Sequence, residues 1–228
     1  MKTIKFLSLP FFFIIYLLIA LPFQSCEPDK KEYVPNDGDN EIECDTCNMV
    51  RKPNIYIYPG ENTQLTVKLT FPMGGEIVTS IPEYGTGWNI SVDQNGLIDN
   101  TYSYLFYESI QPNIWQKDEG WIIEKMELET FFRDNMIEYG FEGQEIEDFI
   151  DYWIPRLDDF LYYSVFPQTS EIIDNVIELE FSKQPDNMLR LFYVVKGYNQ
   201  IQEELIEPTI DSFNREGYFV TEWGVILN

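Results

Sequence analysis

Carboxylates that stand next to aromatic side chains are the residues of this sequence best suited to chemistry. A pair of such carboxylates can hydrolyse a glycosidic bond, one as the acid and the other as the base or nucleophile. The candidate ligand-binding or catalytic residues are Glu83, Tyr84, Trp88, Glu108, Glu222 and Trp223. Because the chain contains 39 acidic residues, such neighbours also arise by chance. Carboxylates at strand edges beside core rings are therefore the alternative interpretation.

The sequence contains no histidine, and this absence removes several kinds of active site. A Ser-His-Asp or Cys-His nucleophile system and His-ligated zinc are excluded. The stretch Asp93-x-Asn95-Gly96-x-x-Asp99 offers oxygen atoms to calcium, but it lacks the length and the terminal bidentate glutamate of a calcium loop. A plain hairpin is the prediction there. We expect no metal site and no cofactor.

The first 25 residues have the layout of a signal peptide, with a positive start, an apolar run over residues 6–23 and a polar end. The segment Phe23-Gln24-Ser25-Cys26 resembles the lipobox of bacterial lipoproteins, in which a small residue precedes the modified cysteine. Phe23 and Gln24 depart from that pattern. We predict cleavage before Cys26 and attachment of acyl chains such as palmitate to it. A cleaved secreted protein and an uncleaved anchor are the alternatives.

The lipid on Cys26 predicts a location in the bacterial cell envelope, at the outer membrane or the cell surface. Residues 26–51 are charged and rich in turn formers, which favours a flexible acidic tether. The net charge is −24, and it becomes −24 − 2 = −26 once the two lysines of the signal peptide are removed. This charge repels nucleic acid and anionic headgroups. We therefore expect membrane contact through the lipid alone and no nucleic-acid partner.

Cys44 and Cys47 form a Cys-x-x-Cys motif at the end of the tether. A thioredoxin-like redox pair needs its first thiol at a helix start, and here an extended segment follows. A zinc site needs four ligands, and the body of the protein has no further cysteine and no histidine. We predict a local disulfide between the two cysteines in an oxidising compartment, with the redox pair as the alternative.

Alternation of apolar and polar residues predicts strands between residues 53 and 108. Leu65, Val67 and Leu69 alternate with polar residues, and Asp93-Gln94-Asn95-Gly96 favours a hairpin turn because Asn-Gly suits a tight reversal. We expect an antiparallel meander or half sandwich in this part of the chain. Its predicted strands cover residues 54–58, 65–71, 76–81, 87–92 and 101–108.

The hydrophobic period then changes to that of helices. Gly140 is predicted to end a first helix, and Pro155 is predicted to end or kink a second. Between Asp118 and Asp159 the sequence has 14 acidic and 3 basic residues. We interpret this excess as the solvated exterior of the helices, with an acidic partner-docking face as the alternative.

The last third of the sequence returns to strands, at residues 177–181, 188–195 and 217–227, with a short helix predicted over 203–214. Arg190 interrupts the apolar central strand, so it is predicted to pair with a buried or half-buried carboxylate. The predicted fold class is α+β, an antiparallel β-sheet or sandwich-like body with an inserted pair of helices. One domain is expected over residues 52–228.

Five segments of the body carry specific motifs: Lys52-Pro53-Asn54-Ile55-Tyr56-Ile57-Tyr58-Pro59, then residues 81–88, 102–108, 152–155 and 217–224. Together they resemble an uncharacterised family of bacterial secreted and envelope proteins whose signature is Lys-Pro-x-Ile-Tyr-Leu-Tyr-Pro. The resemblance covers nearly the whole body and implies a single domain that starts near Lys52. It implies no activity, because none is established for that family.

These observations favour a membrane-anchored envelope lipoprotein with a binding or structural role. Its expected contacts are the membrane, through the N-terminal lipid, and a protein or glycan partner. A carboxylate-based, glycosidase-like hydrolase that acts on envelope or extracellular glycans is the alternative function.

Overall fold

A computed structural model describes residues 47–228, which form ten strands and three α-helices. The strands are β1 (Cys47–Tyr58), β2 (Thr63–Thr70), β3 (Glu76–Ile81), β4 (Trp88–Val92), β5 (Leu105–Pro112), β6 (Trp121–Glu124), β7 (Tyr162–Thr169), β8 (Glu178–Phe181), β9 (Asn187–Tyr198) and β10 (Phe219–Leu227). The helices are α1 (Leu128–Tyr139), α2 (Gln144–Trp153) and α3 (Ser170–Val176). Short 3₁₀ turns precede α1 and follow α2.

The strands form two sheets that lie in separate layers. The large sheet has the order β3-β5-β1-β10-β9-β7-β6, and the small sheet has the order β4-β2-β8. Neighbouring strands are antiparallel except β9 and β10, which are parallel. The small sheet and α3 pack on one face of the large sheet, and α1 and α2 pack on the other. This arrangement confirms the predicted α+β class.

The two apolar cores follow from the alternation of side chains along the central strands. On β10, Val220 and Ile226 contribute to the core shared with the small sheet, whereas Trp223 and Val225 contribute to the core under the helices. A strand covered on both faces has little use for polar residues, and residues 191–195 of β9 are accordingly apolar and buried. Side chains at odd and even positions of one central strand therefore point to opposite faces of the large sheet and cannot contribute to the same site.

Both helices of the inserted pair end where the sequence predicts. The last turn of α1 closes at Gly140, whose φ of +106° belongs to the left-handed region and whose N–H donates to the carbonyl of Met136 at 3.1 Å. Helix α2 ends at Trp153, two residues before Pro155. Glycine adopts such a conformation without a Cβ clash, and proline cannot continue a helix.

A buried carboxylate joins the helix pair to the large sheet. Glu145 of α2 is fully buried and accepts hydrogen bonds from Arg215, at 3.0 Å from each of two guanidinium nitrogens, and from the Thr221 hydroxyl at 2.8 Å. The carbonyl oxygen of Glu145 accepts from the Trp223 indole at 2.9 Å. Because Arg215 lies in the connection between β9 and β10, one side chain holds three segments together.

Several details differ from the predictions. The turn at Asp93–Gly96 is present, but residues 98–102 form a second tight turn with positive φ at Asp99 and Asn100, so β5 starts only at Leu105. Strands β4 and β5 belong to different sheets that share a core, so of the two predicted alternatives the meander is wrong and the half sandwich is confirmed. No helix forms over 203–214, where Pro208 lacks an N–H and Ile206 instead bridges Glu119. Parallel β9 and β10 need a long crossover, which this irregular segment supplies.

The predicted lipidation site, Cys26, and the predicted disulfide cysteine Cys44 both lie outside the described residues. Cys47 begins β1 and is disulfide-bonded, while its pairing with Cys44 stays a prediction. Within residues 47–228 no helix is both long and apolar enough to cross a membrane.

Candidate functional site

A bulge in β1 places Lys52 in an unusual backbone conformation. The pairing of β1 shifts register between Arg51 and Asn54 on the β10 side, and between Val50 and Asn54 on the β5 side. Lys52 lies inside the bulge with a φ of +55°, a value that costs a non-glycine residue ~1 kcal/mol or more. Bulges of this kind redirect side chains next to functional sites. The fold thus holds the backbone of Lys52 in an energetically unfavourable conformation.

The Lys52 side chain enters a group of three aromatic rings on the helix side of the large sheet. Its Nζ atom lies 4.8 Å from the ring centre of Tyr104, 4.6 Å from that of Phe106 and 5.4 Å from that of Tyr152. These distances are in the range of cation–π attraction. Lys52 is only 7% exposed. We call Lys52, Asn54 and these three aromatic residues the Lys52 cage.

Few polar partners are available to the buried ammonium. Nζ donates one hydrogen bond, of 3.2 Å, to the hydroxyl of Tyr104. No carboxylate among residues 47–228 lies within the 4.0 Å limit of an ion pair with it. Glu108 is close, but its Oε1 atom accepts the backbone N–H of Lys52 at 3.3 Å. Since an ammonium carries three N–H donors, two of them have no acceptor within the described part of the chain.

Both oxygens of Asp148 on α2 are also engaged away from the ammonium. Oδ2 accepts the Tyr56 hydroxyl at 2.9 Å, and Oδ1 accepts the Gln144 amide at 2.7 Å. The Tyr56 hydroxyl has one proton and gives it to Asp148, so it accepts from the Asn54 Nδ2 atom at 3.3 Å. This chain of donors fixes the orientation of the Asn54 amide.

The same orientation leaves the Oδ1 atom of Asn54 without a donor. Asn54 is fully buried, and its Oδ1 has no hydrogen-bond partner in the structure. A buried polar atom without a partner costs ~1–3 kcal/mol. Two residues earlier on β1, Lys52 donates to the hydroxyl of Tyr104. A lysine with unused donors and an asparagine with an unused acceptor therefore lie two residues apart on β1.

Burial shifts the proton affinities of the groups in the site toward their uncharged forms. Desolvation lowers the pKa of Lys52 from 10.5 to about 8, against the opposing charges of Asp148 and Glu108. Desolvation also raises the pKa of Glu108, although Arg51 and Lys52 favour its charged form. The pKa of Tyr104 is raised to about 12, mainly by burial. Shifted amines and carboxyls that share a site are typical of functional centres.

The predicted residues Glu83, Tyr84 and Trp88 lie around the small sheet and support its structure. Glu83 is exposed on the connection between β3 and β4. The Tyr84 hydroxyl bonds to both the backbone N–H and the carbonyl of Leu69, and the Trp88 indole donates to the carbonyl of Pro82. The two rings pack edge to face. Their polar atoms are satisfied within the fold.

The predicted pair Glu222 and Trp223 is divided between the two faces of β10. Glu222 is fully buried between the sheets, where it pairs with Arg190 at 2.5 Å and accepts the Tyr107 hydroxyl at 2.8 Å. The predicted partner of Arg190 is thereby found, and Asp174 forms a second ion pair with the same guanidinium. Trp223 faces the helices.

The structure does not bring the predicted carboxylates together. Glu83 is at the surface, Glu222 lies between the two sheets, and Glu108 lies on the helix side beside Lys52. They cannot act as an acid and base on one bond. Among the residues described, no group of three or more Cys, Asp or Glu side chains is arranged to hold a metal ion.

Among the predicted site residues that the structure describes, Glu108 contacts the Lys52 cage through the backbone N–H of Lys52. Sequence reasoning passed over Lys52, Asn54 and Asp148 as functional candidates. A signal was nevertheless present, because three of the motif segments contribute side chains here: residues 52–59, 102–108 and 152–155.

Comparison of the chain with models of known protein families, with curated proteins and with solved structures gives no match. The resemblance read from the motifs stays a prediction, and the case for function rests on the chemistry of the site.

Proposed function

We propose that this protein is a lipid-anchored component of the bacterial envelope and that its folded domain binds a ligand at the Lys52 cage. The observation that carries the binding role is the buried Lys52 ammonium, which has unused N–H donors beside the orphaned Asn54 oxygen. Most buried polar groups in proteins are hydrogen-bonded, so each exception needs an explanation, and a bound ligand would supply the missing partners here. The bulge and the positive φ of Lys52 add backbone strain at the same place.

Charge supports a site at this position. The chain has 39 acidic and 15 basic residues, yet Arg51, Lys52 and Arg156 all act electrostatically within this cluster. The guanidinium of Arg156 lies 3.8 Å from the ring centre of Tyr152, at the exposed side of the cage. Three cations and the two carboxylates Glu108 and Asp148 thus meet here, which gives a ligand a charged place to dock on an otherwise acidic protein.

The lipid anchor is supported by the signal-peptide layout and by Ser25-Cys26. Labelled palmitate is expected to enter the protein in growing bacteria and to be lost in Cys26→Ser. Cys47→Ser is the matched control and should retain the label. Equal labelling of Cys26→Ser and the wild type would disprove lipidation at Cys26.

The binding role is tested with the mature chain on an array of bacterial envelope glycans. Lys52→Met is expected to remove the wild-type signal, whereas Lys68→Met, which changes an exposed lysine of β2, should keep it. Thermal unfolding of both variants verifies that they fold. A folded Lys52→Met variant that binds as well as the wild type would contradict a binding role for the cage.

A further inference from the structure

One end of the large sheet contains the start of the folded domain. β1 begins at Cys47, which pairs with Pro112, the last residue of β5. β10 is antiparallel to β1 and β9 is parallel to β10, so both strands finish at this end. β7 begins here and β6 finishes here, because β7 is antiparallel to β9 and to β6. We call this end of the large sheet the Cys47 end.

Large apolar side chains that the fold leaves exposed are concentrated at the Cys47 end. Among residues 47–228, eleven such side chains are exposed, and seven of them lie here. Phe160, which rests on Gly197, is one of the seven. The other six lie in turns and at strand ends: Met73, Ile114, Met126, Leu161, Ile201 and Leu227. Exposed apolar groups that gather in one region are typical of a surface that contacts a protein or a membrane.

Three of these side chains belong to segments that are joined by backbone hydrogen bonds. Met126 follows β6, and the N–H of its neighbour Lys125 donates to the carbonyl of Leu161 at 2.9 Å. The N–H of Leu161 donates to the carbonyl of Tyr198, the last residue of β9, at 3.1 Å, and Ile201 follows three residues later. Met126 is 94% exposed and Ile201 is 75% exposed. Three large apolar side chains thus meet water at one corner of the sheet.

The chain leads from the Cys47 end to the predicted lipidation site. Residues 27–46 separate Cys26 from Cys47, and about 20 residues span at most ~70 Å when fully extended. A lipid on Cys26 would therefore hold the domain by this end. Tyr162 and Tyr198 pair across β7 and β9 here and are half-buried, and tyrosine rings favour the level of lipid headgroups. The position of the anchor and the composition of this end thus suit the same surface.

Charge decides which lipids suit the Cys47 end. Glu124, Glu127 and Asp158 are exposed there, and the whole chain is strongly acidic. Anionic headgroups would repel these carboxylates, whereas zwitterionic headgroups carry no net charge. A second copy of the chain would bring an equally acidic end to the same place, and like charges would oppose that contact. A bilayer surface without net charge is therefore the best match.

We infer that the Cys47 end rests on a bilayer of zwitterionic lipids and that Met126, Leu161 and Ile201 enter its headgroup region. This inference rests on the proposed lipid anchor at Cys26 and adds a second contact to it. Apolar side chains that enter a bilayer surface gain free energy in proportion to the apolar area that leaves water. The lipid attaches the domain, and the apolar corner determines which end of it faces the membrane.

Sedimentation with vesicles tests the contact in the absence of the lipid. The mature chain with Cys26→Ser is expected to bind vesicles of phosphatidylcholine, and to bind about fivefold more weakly when half of the lipid is phosphatidylglycerol. Met126→Ser and Leu161→Ser together are expected to weaken binding to phosphatidylcholine about tenfold or more. Leu97→Ser and Ile137→Ser together are the control and should bind like the parent protein, because both side chains are exposed away from the Cys47 end.

A fluorophore that senses water tests the orientation of the lipidated protein. It is attached to Met126→Cys or, as the control, to Ile137→Cys, and each protein is reconstituted into phosphatidylcholine vesicles. The emission is expected to shift to the blue at position 126 and to stay unchanged at position 137. Equal emission at both positions would overturn the inference, and so would vesicle binding that the Met126→Ser and Leu161→Ser pair does not weaken. A wild-type dimer that the same pair dissociates in sedimentation velocity would also overturn it, because a second copy would then cover this end.

The outcomes separate this inference from the lipid anchor. If palmitate enters at Cys26 but the fluorophore at position 126 stays in water, the anchor stands and the inference is wrong. If palmitate labelling finds no lipid on Cys26, the anchor is wrong, and binding of the Cys26→Ser chain to vesicles alone decides whether the Cys47 end contacts a bilayer.

Discussion

Replacing Lys52 by methionine is expected to stabilise the protein near neutral pH and to lose that advantage at high pH. The fall of the Lys52 pKa from 10.5 to about 8 means that the fold holds the charged ammonium at a cost of about 3 kcal/mol, at ~1.4 kcal/mol for each tenfold change in proton affinity. Methionine has a similar length, carries no charge and packs well against aromatic rings. A lysine that is needed for binding would thus lower the unfolding free energy of the wild-type protein, as functional groups often do.

The sign of the pH dependence follows from proton binding. Below pH 8 Lys52 is protonated in both the folded and unfolded chains, so its full cost is present. Between pH 8 and 10.5 the unfolded chain binds more protons at this position, and the stability of the wild type therefore rises with pH relative to the variant. Above 10.5 both states are neutral and the cost has disappeared. Other groups around Lys52 are common to both proteins, and their contributions largely cancel: Glu108, Asp148, Arg156, Tyr56 and Tyr104.

Urea unfolding followed by tryptophan fluorescence at pH 7 and pH 10.5 measures this difference. The gap in unfolding free energy between Lys52→Met and the wild type is expected to change by about 3 kcal/mol between the two pH values. Lys68→Met, at an exposed position of β2, should differ from the wild type by no more than about 0.5 kcal/mol at either pH. A Lys52→Met variant that is less stable than the wild type by the same amount at both pH values would refute the reasoning. The lysine would then be a structural cation held by the rings.

Three further substitutions test contacts that hold the layers together. Glu222→Gln leaves the Arg190 guanidinium buried without its full partner charge and is expected to cost ~3 kcal/mol or more; a loss below 1 kcal/mol in urea unfolding would contradict this. Glu145→Gln weakens the bonds to Arg215 and Thr221 and is expected to speed amide hydrogen exchange over residues 199–216, whereas unchanged exchange there would mean that other contacts fix the crossover. Gly140→Ala forces a side chain into positive φ, 2.7 Å from Phe213 Cβ, and is expected to lower stability by ~1 kcal/mol or more; an equally stable variant would show that the helix end readily rearranges.

Local periodicity was sufficient to predict most elements of the fold. The helix ends at Gly140 and Trp153 and the apolar strand around Arg190 depend on neighbours within a few residues, and these predictions are confirmed. The sequence left open whether the first strands form a meander or a half sandwich, because alternation specifies that a strand has two faces but not which strand lies beside it. For the same reason the parallel pairing of β9 and β10 was missed.

The Lys52 cage was missed for a different reason. Its contacts join residues that are far apart in sequence, since Lys52 and Tyr104 are separated by 52 positions and Tyr56 and Asp148 by 92. No local pattern marks a buried lysine, and a Lys-Pro pair at the start of a strand is typical of a surface position. Glu108 was selected for its aromatic neighbours, and it lies beside the site because β5 pairs with β1.

The position of β10 has a consequence for the order in which the domain can assemble. This strand lies between β1 and β9 at the centre of the large sheet, although its residues, 219–227, follow every other strand in the chain. Until those residues are available, β1 and β9 have no common neighbour, and the halves of the sheet they belong to cannot join. A chain that is synthesised from its N-terminus therefore completes the large sheet only when its last strand, β10, is available. For a protein that we propose is exported through a signal peptide, we expect this order to favour a form that can still be threaded across a membrane.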